Sequence, residues 1–557
     1  MALKWTSCSR LQLRFVHFVL LSELFMQITV GATKQPNIVI IMADDMGFDD
    51  VSFRGSNEFL TPNIDALAFS GVILNRYYVP AMCTPSRSAL MTGKNPINIG
   101  MQHFVIPNDQ PWGLPLTEKT LAQYFKEAGY FTSLIGKWHL GFSKKVYTPL
   151  YRGFDHHYGY YGGYVDYYDQ TLYSTSANYS RGHDFRNNLK ITRDNQGTYV
   201  TDSLTEEAEH LIKNHDTEIP LLLILSELAP HSGNPDKPFQ APAEEIEKFK
   251  HITDPDRRTY AAMVSKLDES VGKVVEALDA KGILDNTILL FYSDNGAPVK
   301  GLHANEGSNY PFRGQKNSPW EGGIRSAGAI WSPLIQNGGR LWNQTMHVSD
   351  WLPTLASAAG IKLSEDLNLD GLNLWRNLTK GSEPTRRKIV HNIDDIFQYV
   401  SYSSGKWKYI NGTTLSGAYD GWLKSREKVH IDPKSHSYVE LIKNSKTWKT
   451  LIKYKKTDEI DNTDILELRQ KASIDCAYDS EVSKCEPLKD ECIFDLDEDP
   501  CEQNNLIGQL KNSKMLKRIR KDIDDFRSKA MPPVGKPTDP KSDPKLHDFE
   551  WTWWEDL

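Results

Sequence analysis

The chain has 557 residues, more than one hydrophobic core usually organises, so we expect two domains. Hydrophobic residues make up 39% of the sequence and charged residues 25%, as in soluble globular proteins. The formal net charge of -7 is spread along the chain and argues against a nucleic-acid-binding protein, which would usually carry a basic patch.

Residues 1–32 predict a secretory signal peptide. Basic residues come first, residues 15–30 are mostly apolar, and Gly31-Ala32 supplies small residues for cleavage. An uncleaved membrane anchor is the alternative, but polar residues interrupt the apolar stretch. No later stretch is long and apolar enough to cross a bilayer. We therefore expect a secreted or lysosomal protein without stable membrane insertion.

Asn-x-Ser/Thr triplets fit passage through the secretory pathway, because they are acceptors for N-glycosylation. The candidate sites are Asn178, Asn343, Asn377 and Asn411.

Four cysteines cluster near the C-terminal end, at Cys476, Cys485, Cys492 and Cys501. In an oxidising compartment they predict two disulfides in one of three pairings, of which we favour Cys476–Cys485 and Cys492–Cys501. A zinc site built from four thiolates is the alternative. Cys8 lies in the signal peptide, so Cys83 has no expected disulfide partner.

Short apolar runs rich in β-branched residues predict strands buried on both faces. They occupy residues 37–42, 132–135, 220–225 and 287–292. Apolar residues at helical spacing predict helices over 117–129 and 258–281. Strands alternating with helices indicate an α/β fold with a mainly parallel sheet, in which ligands bind at the carboxyl ends of the strands.

The character of the sequence changes after about residue 385. Runs at 388–391 and 406–410 predict small antiparallel strands, and the lysine-rich tract 424–456 has no clear period, which indicates an insertion or a solvated surface. The last thirty or so residues are rich in proline and predict an extended segment over the surface. We assign residues 33–385 to a catalytic domain and 386–557 to a smaller C-terminal domain.

Acidic and amide side chains directly follow two of the predicted strands, at Asp44-Asp45 and Asp294-Asn295. Neighbouring carboxylates repel one another, and a hard divalent cation such as Ca²⁺ or Mg²⁺ would relieve that repulsion with an all-oxygen ligand set. Helix capping is the alternative, since Asp and Asn are favoured where a helix begins.

Cys83 stands where Pro85 and the following residues predict the start of a helix. The helix N-terminus would present N–H groups to an anion, and Arg87 adds a guanidinium suited to sulfate oxygens. A buried, inert thiol is the alternative interpretation.

Four further basic residues follow predicted strands or lie on the loops beyond them: Lys137, His139, His231 and Lys316. Each alone is more often a surface or capping residue. Gathered near a metal ion and a helix N-terminus, they would form a pocket for a multiply charged oxyanion.

The run from Cys83 to Gly93 resembles the signature of the sulfatase family. Cys-x-Pro-x-Arg is continued here by Ser-x-Leu-x-Thr-Gly, which makes the match specific. Further matching stretches, spread over nearly the whole mature chain, are 44–48, 136–141, 292–296, 320–325 and 350–354. The chain is most similar to the arylsulfatase B-like (N-acetylgalactosamine-4-sulfatase) group.

The resemblance implies an alkaline-phosphatase-like sandwich: a large mixed, mainly parallel sheet flanked by helices, plus a smaller C-terminal α+β domain with an antiparallel sheet. It also implies that a formylglycine-generating enzyme oxidises Cys83 to formylglycine during maturation. One calcium ion would be held by the modified residue 83 with Asp44, Asp45, Asp294 and Asn295.

In the implied reaction, Arg87, Lys137, His139, His231 and Lys316 surround the sulfate. Position 83 supplies the nucleophile, and either His231 or Lys316 protonates the leaving alcohol. His139 then removes a proton so that sulfate is released.

Three alternatives stay open at this point. A phosphoryl hydrolase would more often use serine or threonine as the nucleophile, and a non-enzymatic sulfate-glycan-binding relative would be expected to lack one of the residues above. Sulfated N-acetylgalactosamine in glycosaminoglycans competes with small sulfated glycosides such as glucosinolates as the substrate. Loops above the strand ends depart from the family pattern; Tyr164, for example, stands where serine is expected.

Overall fold

The computed structural model describes residues 34–174, 180–381, 386–423, 436–454, 462–476 and 484–557. The predicted signal peptide with Cys8, and the candidate glycosylation site Asn178, lie outside these residues.

A ten-stranded mixed sheet forms the centre of the molecule, in the order β12-β2-β11-β10-β1-β9-β3-β4-β7-β8. Its strands are β1 (Asn37–Ala43), β2 (Val72–Tyr78), β3 (Phe131–Lys137), β4 (His156–Tyr160), β7 (Arg186–Asn187), β8 (Lys190–Ile191), β9 (Leu221–Ser226), β10 (Thr287–Ser293), β11 (Gly328–Trp331) and β12 (Arg340–His347), while β5 (Thr171–Tyr173) and β6 (Arg181–His183) form a separate hairpin. The central strands β10, β1, β9, β3 and β4 run parallel. The predicted α/β class is confirmed.

Helices lie between the strands and around the sheet. They are α1 (Pro62–Ser70), α2 (Cys83–Thr92), α3 (Leu121–Glu127), α4 (Val200–Asn214), α5 (Ala243–Glu247), α6 (Pro255–Ala280), α7 (Glu321–Ile324), α8 (Trp351–Ala358), α9 (Trp375–Lys380), α10 (His436–Asn444), α11 (Lys446–Leu451), α12 (Asn462–Ala472), α13 (Ile507–Leu510) and α14 (Lys514–Arg527). The predicted helix over 258–281 is confirmed as α6. The helix predicted over 117–129 begins later, because Thr120 and Gln123 form a capping box.

The register of the parallel strands brings their carboxyl ends to one edge of the sheet. Ala43 at the end of β1 pairs with Ser293 at the end of β10, and Met42 pairs with Ser226 at the end of β9. Gly136 in β3 lies beside the same Ser226. The residues that follow these strands therefore emerge side by side, as expected for a doubly covered parallel sheet.

A second sheet is antiparallel and four-stranded, in the order β13 (Lys388–Asp394), β14 (Tyr399–Ser404), β15 (Trp407–Asn411) and β16 (Cys492–Asp495). Helix α14 packs under it through Leu516, Ile519 and Ile523. The small antiparallel strands predicted after residue 385 are confirmed. The boundary between two domains at residues 385 and 386 stays a prediction.

The described part of tract 424–456 is not a solvated surface, so that interpretation is wrong, while the alternative of a long insertion stays a prediction. Residues 436–451 form helices α10 and α11, which pack against α1 and α6. Tyr438, Val439 and Ile442 share one helical face and are buried in the main core. The burial of this face depends on docking against α1, which no local pattern in the sequence specifies.

The favoured disulfide pairing is also wrong: the bonds are Cys476–Cys501 and Cys485–Cys492. Cys492 opens strand β16, and Cys485 lies beside it with a Cα–Cα distance of 5.7 Å. Cys501 follows a turn beyond the other end of that strand, where it meets Cys476. Strand β16 begins at Cys492 and carries the chain away from it, so Cys501 lies beyond the other end of the strand.

The C-terminal segment was predicted to be extended, which holds only in part, because short 3-10 turns interrupt it at Pro540–Ser542, Pro544–Leu546 and Trp554–Asp556. Trp551 is fully buried and donates a hydrogen bond from its indole nitrogen to the carbonyl oxygen of Leu172, at 3.0 Å. His183 N–H donates to the carbonyl oxygen of Phe549. Among the described residues, no helix combines the length and apolar character that crossing a membrane requires.

Candidate active site

Three buried carboxylates and one amide meet at the carboxyl ends of β1 and β10. Asp44 and Asp45 follow β1, and Asp294 and Asn295 follow β10, so the strand pairing places them together. Asp45 N–H donates to Asp294 Oδ1 at 3.2 Å, and Asn295 Nδ2 donates to Asp45 Oδ1 at 2.6 Å. All four side chains are inaccessible to solvent.

This cluster fits a hard cation. Asp44 Oδ1 and Asn295 Oδ1 are buried and have no hydrogen-bond partner among the described residues. Buried polar atoms are rarely left unsatisfied, and oxygen atoms of carboxylates and amides are the donors that Ca²⁺ takes. The ligand atoms of Asp44, Asp294 and Cys83 lie within 4.8 Å of one another. Helix capping does not account for this arrangement.

Cys83 is the first residue of helix α2, as the sequence predicted, and is 1% exposed. It is the one cysteine outside the disulfides among the described residues. Burial raises the pKa of its thiol, although the charges of Lys137 and Lys316 oppose that shift. Unmodified Cys83 is therefore a protonated thiol and a weak nucleophile, because the thiolate is the reactive form.

Three cations face the three carboxylates: Arg87 and Lys137 are buried, and the Lys316 side chain is 11% exposed. Lys137 Nζ lies 2.7 Å from Asp44 Oδ2, and Lys316 Nζ lies 2.7 Å from Asp45 Oδ2. Arg87 donates from Nε and Nη2 to Asp294 Oδ2, at 3.1 and 2.7 Å. Each charge is thus paired, as buried charges generally must be.

The same pairs set the acidities of the carboxyl groups. Burial alone would raise the pKa of Asp45, but the charges of Lys316, His231 and Lys137 outweigh it and hold that pKa well below its usual range. Burial and the neighbouring charge of Asp44 raise the pKa of Asp294 to about 6. Like charges side by side favour the neutral form of one of them.

His139 lies at the same edge, with a backbone φ of 56°. Its Nε2 lies 3.1 Å from the carbonyl oxygen of Ile106, so Nε2 carries the proton and donates. Nδ1 is buried without a hydrogen-bond partner among the described residues. Burial, reinforced by the charges of Lys137 and Arg87, lowers the pKa of His139 well below its usual range. A neutral imidazole with a free lone pair can accept a proton.

His231 follows β9 and reaches the carboxylate cluster from another side. Its Nδ1 donates to the carbonyl oxygen of Ser232 at 2.6 Å, and its Nε2 lies 3.3 Å from Asp45 Oδ2. Burial lowers the pKa of His231 to about 3, against the opposing charge of Asp45. His231 and Lys316 therefore approach the same carboxylate oxygen.

A cavity of about 280 Å³ adjoins these groups and is lined by Cys83, His139, His231 and Lys316. Tyr164 and His303 also line it, and the sequence did not assign either of them to the site. Tyr164 is stacked on His231 with ring centroids 5.4 Å apart, and its edge meets His303 at 4.6 Å. Tyr164 was visible in the sequence only as a departure from the family pattern.

The structure thus brings together every predicted catalytic and metal-binding residue. Of the described candidate glycosylation sites, Asn343 and Asn411 are exposed, whereas Asn377 is only 8% exposed. Glycosylation stays a prediction.

Glu227 is a buried carboxyl group outside the ion pairs described above. Its ionisation is expected to make the stability of the protein depend on pH. Glu227 follows β9, accepts a hydrogen bond from Ser270, and has a pKa raised by burial from 4.5 to about 8. Between these pH values the folded protein binds one more proton here than the unfolded chain. The free energy of unfolding therefore falls as pH rises through this window, by up to about 1.4 kcal/mol per pH unit.

We expect Glu227→Gln to be stabilised relative to wild type at pH 8 and to gain little at pH 5. Urea unfolding at both pH values measures this difference. Glu276→Gln is the control, since Glu276 is half-exposed beside Lys446. An equal effect of Glu227→Gln at the two pH values would contradict the prediction.

Comparison with known proteins finds relatives that match most of the chain. A family model described as Sulfatase matches residues 36–361. Arylsulfatase J of Mus musculus is 35% identical over 527 residues, which cover 94% of this chain and 81% of that protein. N-acetylgalactosamine-6-sulfatase of Mus musculus is 32% identical over 398 residues, which cover 69% and 74%. The crystal structure of Ps i-CgsB has a TM-score of 0.68 at 27% identity, covering 90% of this chain and 94% of that one.

Proposed function

Because the chain belongs to the sulfatase family it is a sulfuric ester hydrolase, and we propose that position 83, after oxidation of Cys83 to formylglycine, supplies its nucleophile. We propose that the enzyme releases inorganic sulfate from a sulfated carbohydrate or a small sulfated glycoside. The observation that carries the proposal is the position of Cys83: a buried cysteine outside the disulfides, at the start of α2, with its Sγ within 4.8 Å of Asp44 and Asp294 ligand atoms.

Asp44, Asp45, Asp294 and Asn295, together with residue 83, would hold one calcium ion. The two unpartnered oxygens of Asp44 and Asn295 support this set. A bound calcium ion would polarise a sulfate oxygen and stabilise negative charge that develops during reaction.

The cations of the chain have a positioning and a neutralising role in this proposal. Lys137 and Arg87 are fixed by Asp44 and Asp294, so they hold their charges in place before substrate binds. Such preorganised charge costs no reorganisation during reaction. Sulfate esters hydrolyse very slowly in water, so a barrier reduction on the order of 20 kcal/mol is needed.

Addition of water to the formylglycine aldehyde gives two geminal hydroxyl groups at position 83. One of them attacks sulfur and gives up its proton as the bond between sulfur and the oxygen of the leaving alcohol breaks. Two proton transfers complete the reaction. Lys316 or His231, both directed at Asp45, delivers a proton to the oxygen of the leaving alcohol. His139 accepts a proton at Nδ1 from the hydroxyl group that remains at position 83, which releases sulfate and restores the aldehyde. Serine could not replace the modified residue, because it has no second hydroxyl from which this proton could come.

Two alternatives are weaker. A phosphoryl hydrolase would more often use serine or threonine where this chain has Cys83, and an inactive sulfate-binding relative would be expected to lack a ligand or His139. The names of the similar proteins refer to arylsulfatase and to N-acetylgalactosamine-6-sulfatase, and a second Ps i-CgsB structure is a complex with k-i-k-neocarrahexaose. We accordingly propose a sulfated small molecule or glycan as the substrate, glucosinolate-type sulfate esters included, and a secreted or lysosomal location.

Mass spectrometry tests the nucleophile directly. The peptide that contains residue 83, from protein made in a secretory pathway, is expected to show formylglycine in place of cysteine. The same preparation is expected to release sulfate from a chromogenic aryl sulfate. An unmodified thiol in a protein without turnover would overturn the proposed mechanism.

A further inference from the structure

The cavity above Cys83 is small for a polymer-binding site. Its volume is about 280 Å³. A cavity of about 150 Å³ accommodates benzene, so this one holds a sulfate group with one or two rings.

The apolar parts of the remaining lining come from four separate segments of the chain. They are formed by Phe104 and Val105, Leu172 and Tyr173, Leu302, and Leu415 with Tyr419. Leu302 is 64% exposed and Leu415 46% exposed, although both are large apolar side chains. Apolar side chains exposed together around a concave site favour a ligand with an apolar surface, because binding removes both surfaces from water.

Full charges are scarce in the same lining. Lys316 is the only lysine or arginine among the described lining residues, and Asp45 already pairs with it. The described lining contains no Asp or Glu. Recognition of a carboxylate or a second sulfate would call for arginine or lysine side chains, which bind such groups through charge-assisted hydrogen bonds. An additional negative charge on the leaving group would lose its hydration here without gaining a partner.

Uncharged polar side chains also line the cavity, namely Asn108, Tyr164, Gln315 and Asn317. The ring of Tyr164 contacts the rings of His231 and His303, which also contact each other. The Tyr164 hydroxyl is buried without a hydrogen-bond partner among the described residues. Burial raises its pKa, so the hydroxyl stays neutral. It can pair with a hydroxyl group or another uncharged polar atom of the leaving group.

Granted the sulfatase reaction proposed above, we infer that the leaving group of the substrate is a small, uncharged alcohol or phenol with an apolar face. The enzyme then discriminates against the sugar units of polyanionic glycans. The carrying observation is that the described lining has Lys316 as its one lysine or arginine, no Asp or Glu, and many apolar side chains.

A matched pair of substrates tests the inference. The sulfate ester of 4-hydroxyphenylpropionamide and that of 4-hydroxyphenylpropionate share the same ring, and two methylene groups insulate the phenolic oxygen from the changed end. We expect kcat/KM of full-length, formylglycine-containing enzyme to be about tenfold or more higher for the amide, mainly through KM. A sulfated uronate-containing disaccharide is expected to be cleaved more slowly still.

Equal or faster cleavage of the carboxylate, or of the disaccharide, would overturn the inference and leave the proposed function intact. If neither aryl sulfate nor the disaccharide is cleaved by protein with formylglycine at position 83, the proposed function fails as well. These two results are distinguishable in one assay series.

Variants at the mouth provide a second test. Leu302→Arg/Leu415→Arg is expected to lower the preference for the amide by about fivefold or more, because each arginine offers the carboxylate a partner. Leu546→Arg is the control, since Leu546 is 66% exposed and does not line the cavity. An unchanged preference in the double variant would show that these leucines do not face the leaving group, and would overturn the inference.

Discussion

Replacing Cys83 with serine is expected to reduce multiple turnover by about 10⁴-fold or more without unfolding the protein. Serine provides one hydroxyl that can attack sulfur at the N-terminus of α2, with the proton passing to the leaving alcohol. No second hydroxyl remains from which His139 could take a proton, so sulfate stays on the serine oxygen. Steady-state sulfate release and mass spectrometry of the residue-83 peptide, which is expected to gain one SO₃ group, measure the two effects.

Two further variants complete this experiment. Cys83→Ala is expected to be inactive without any gain of mass, because no nucleophile is present. Met91→Leu is the control in the same helix, since it conserves volume at a buried position outside the site. Multiple turnover by Cys83→Ala would contradict the assignment of residue 83 as the nucleophile.

The prediction of the site from the sequence depended on short segments whose geometry is set locally. The apolar runs of β1 and β10 each end in a polar pair. Parallel strands bring their carboxyl ends to one edge of the sheet, so the pairing of β1 with β10 makes Asp44 and Asp294 neighbours. Pro85 similarly fixed the start of α2 near Cys83. In these cases the chemistry follows from strand and helix ends alone.

The parts that the sequence did not predict depend on contacts between distant segments. Tyr164 and His303 are brought to His231 by loops whose paths no local pattern specifies. Helix α10 was missed because its burial depends on docking against α1, where the Tyr438 hydroxyl bonds Asp65. The disulfide pairing likewise depended on the placement of β16 and not on the spacing of cysteines.

The balance of charge in the site explains why an added cation matters. Three carboxylates, from Asp44, Asp45 and Asp294, are matched by three cations, from Arg87, Lys137 and Lys316. The chain alone therefore offers an approximately neutral environment to an anionic ester. A divalent cation would add two positive charges, which favours both substrate binding and the developing charge of the reaction.

Removal of calcium with a chelator is accordingly expected to lower kcat/KM by about 100-fold or more and to lower the melting temperature. Adding Ca²⁺ back is expected to restore both, since an ion that binds only the folded state at about 1,000 times its Kd stabilises that state by about 4 kcal/mol. Mg²⁺ is expected to restore less, because it prefers a strict octahedron and retains its water. Thermal unfolding and metal content measured on the same samples check this independently of activity.

Variants separate calcium binding from general stability. Asn295→Ala removes an unpartnered oxygen and the hydrogen bond to Asp45, so it is expected to weaken the calcium-induced rise in melting temperature. Asp350→Asn weakens a buried pair with Arg386 outside the site, so it is expected to lower the melting temperature while the calcium-induced rise stays as in wild type. Full activity after chelation, with no effect of Ca²⁺ on unfolding, would mean that the acidic cluster balances Arg87, Lys137 and Lys316 without a metal ion.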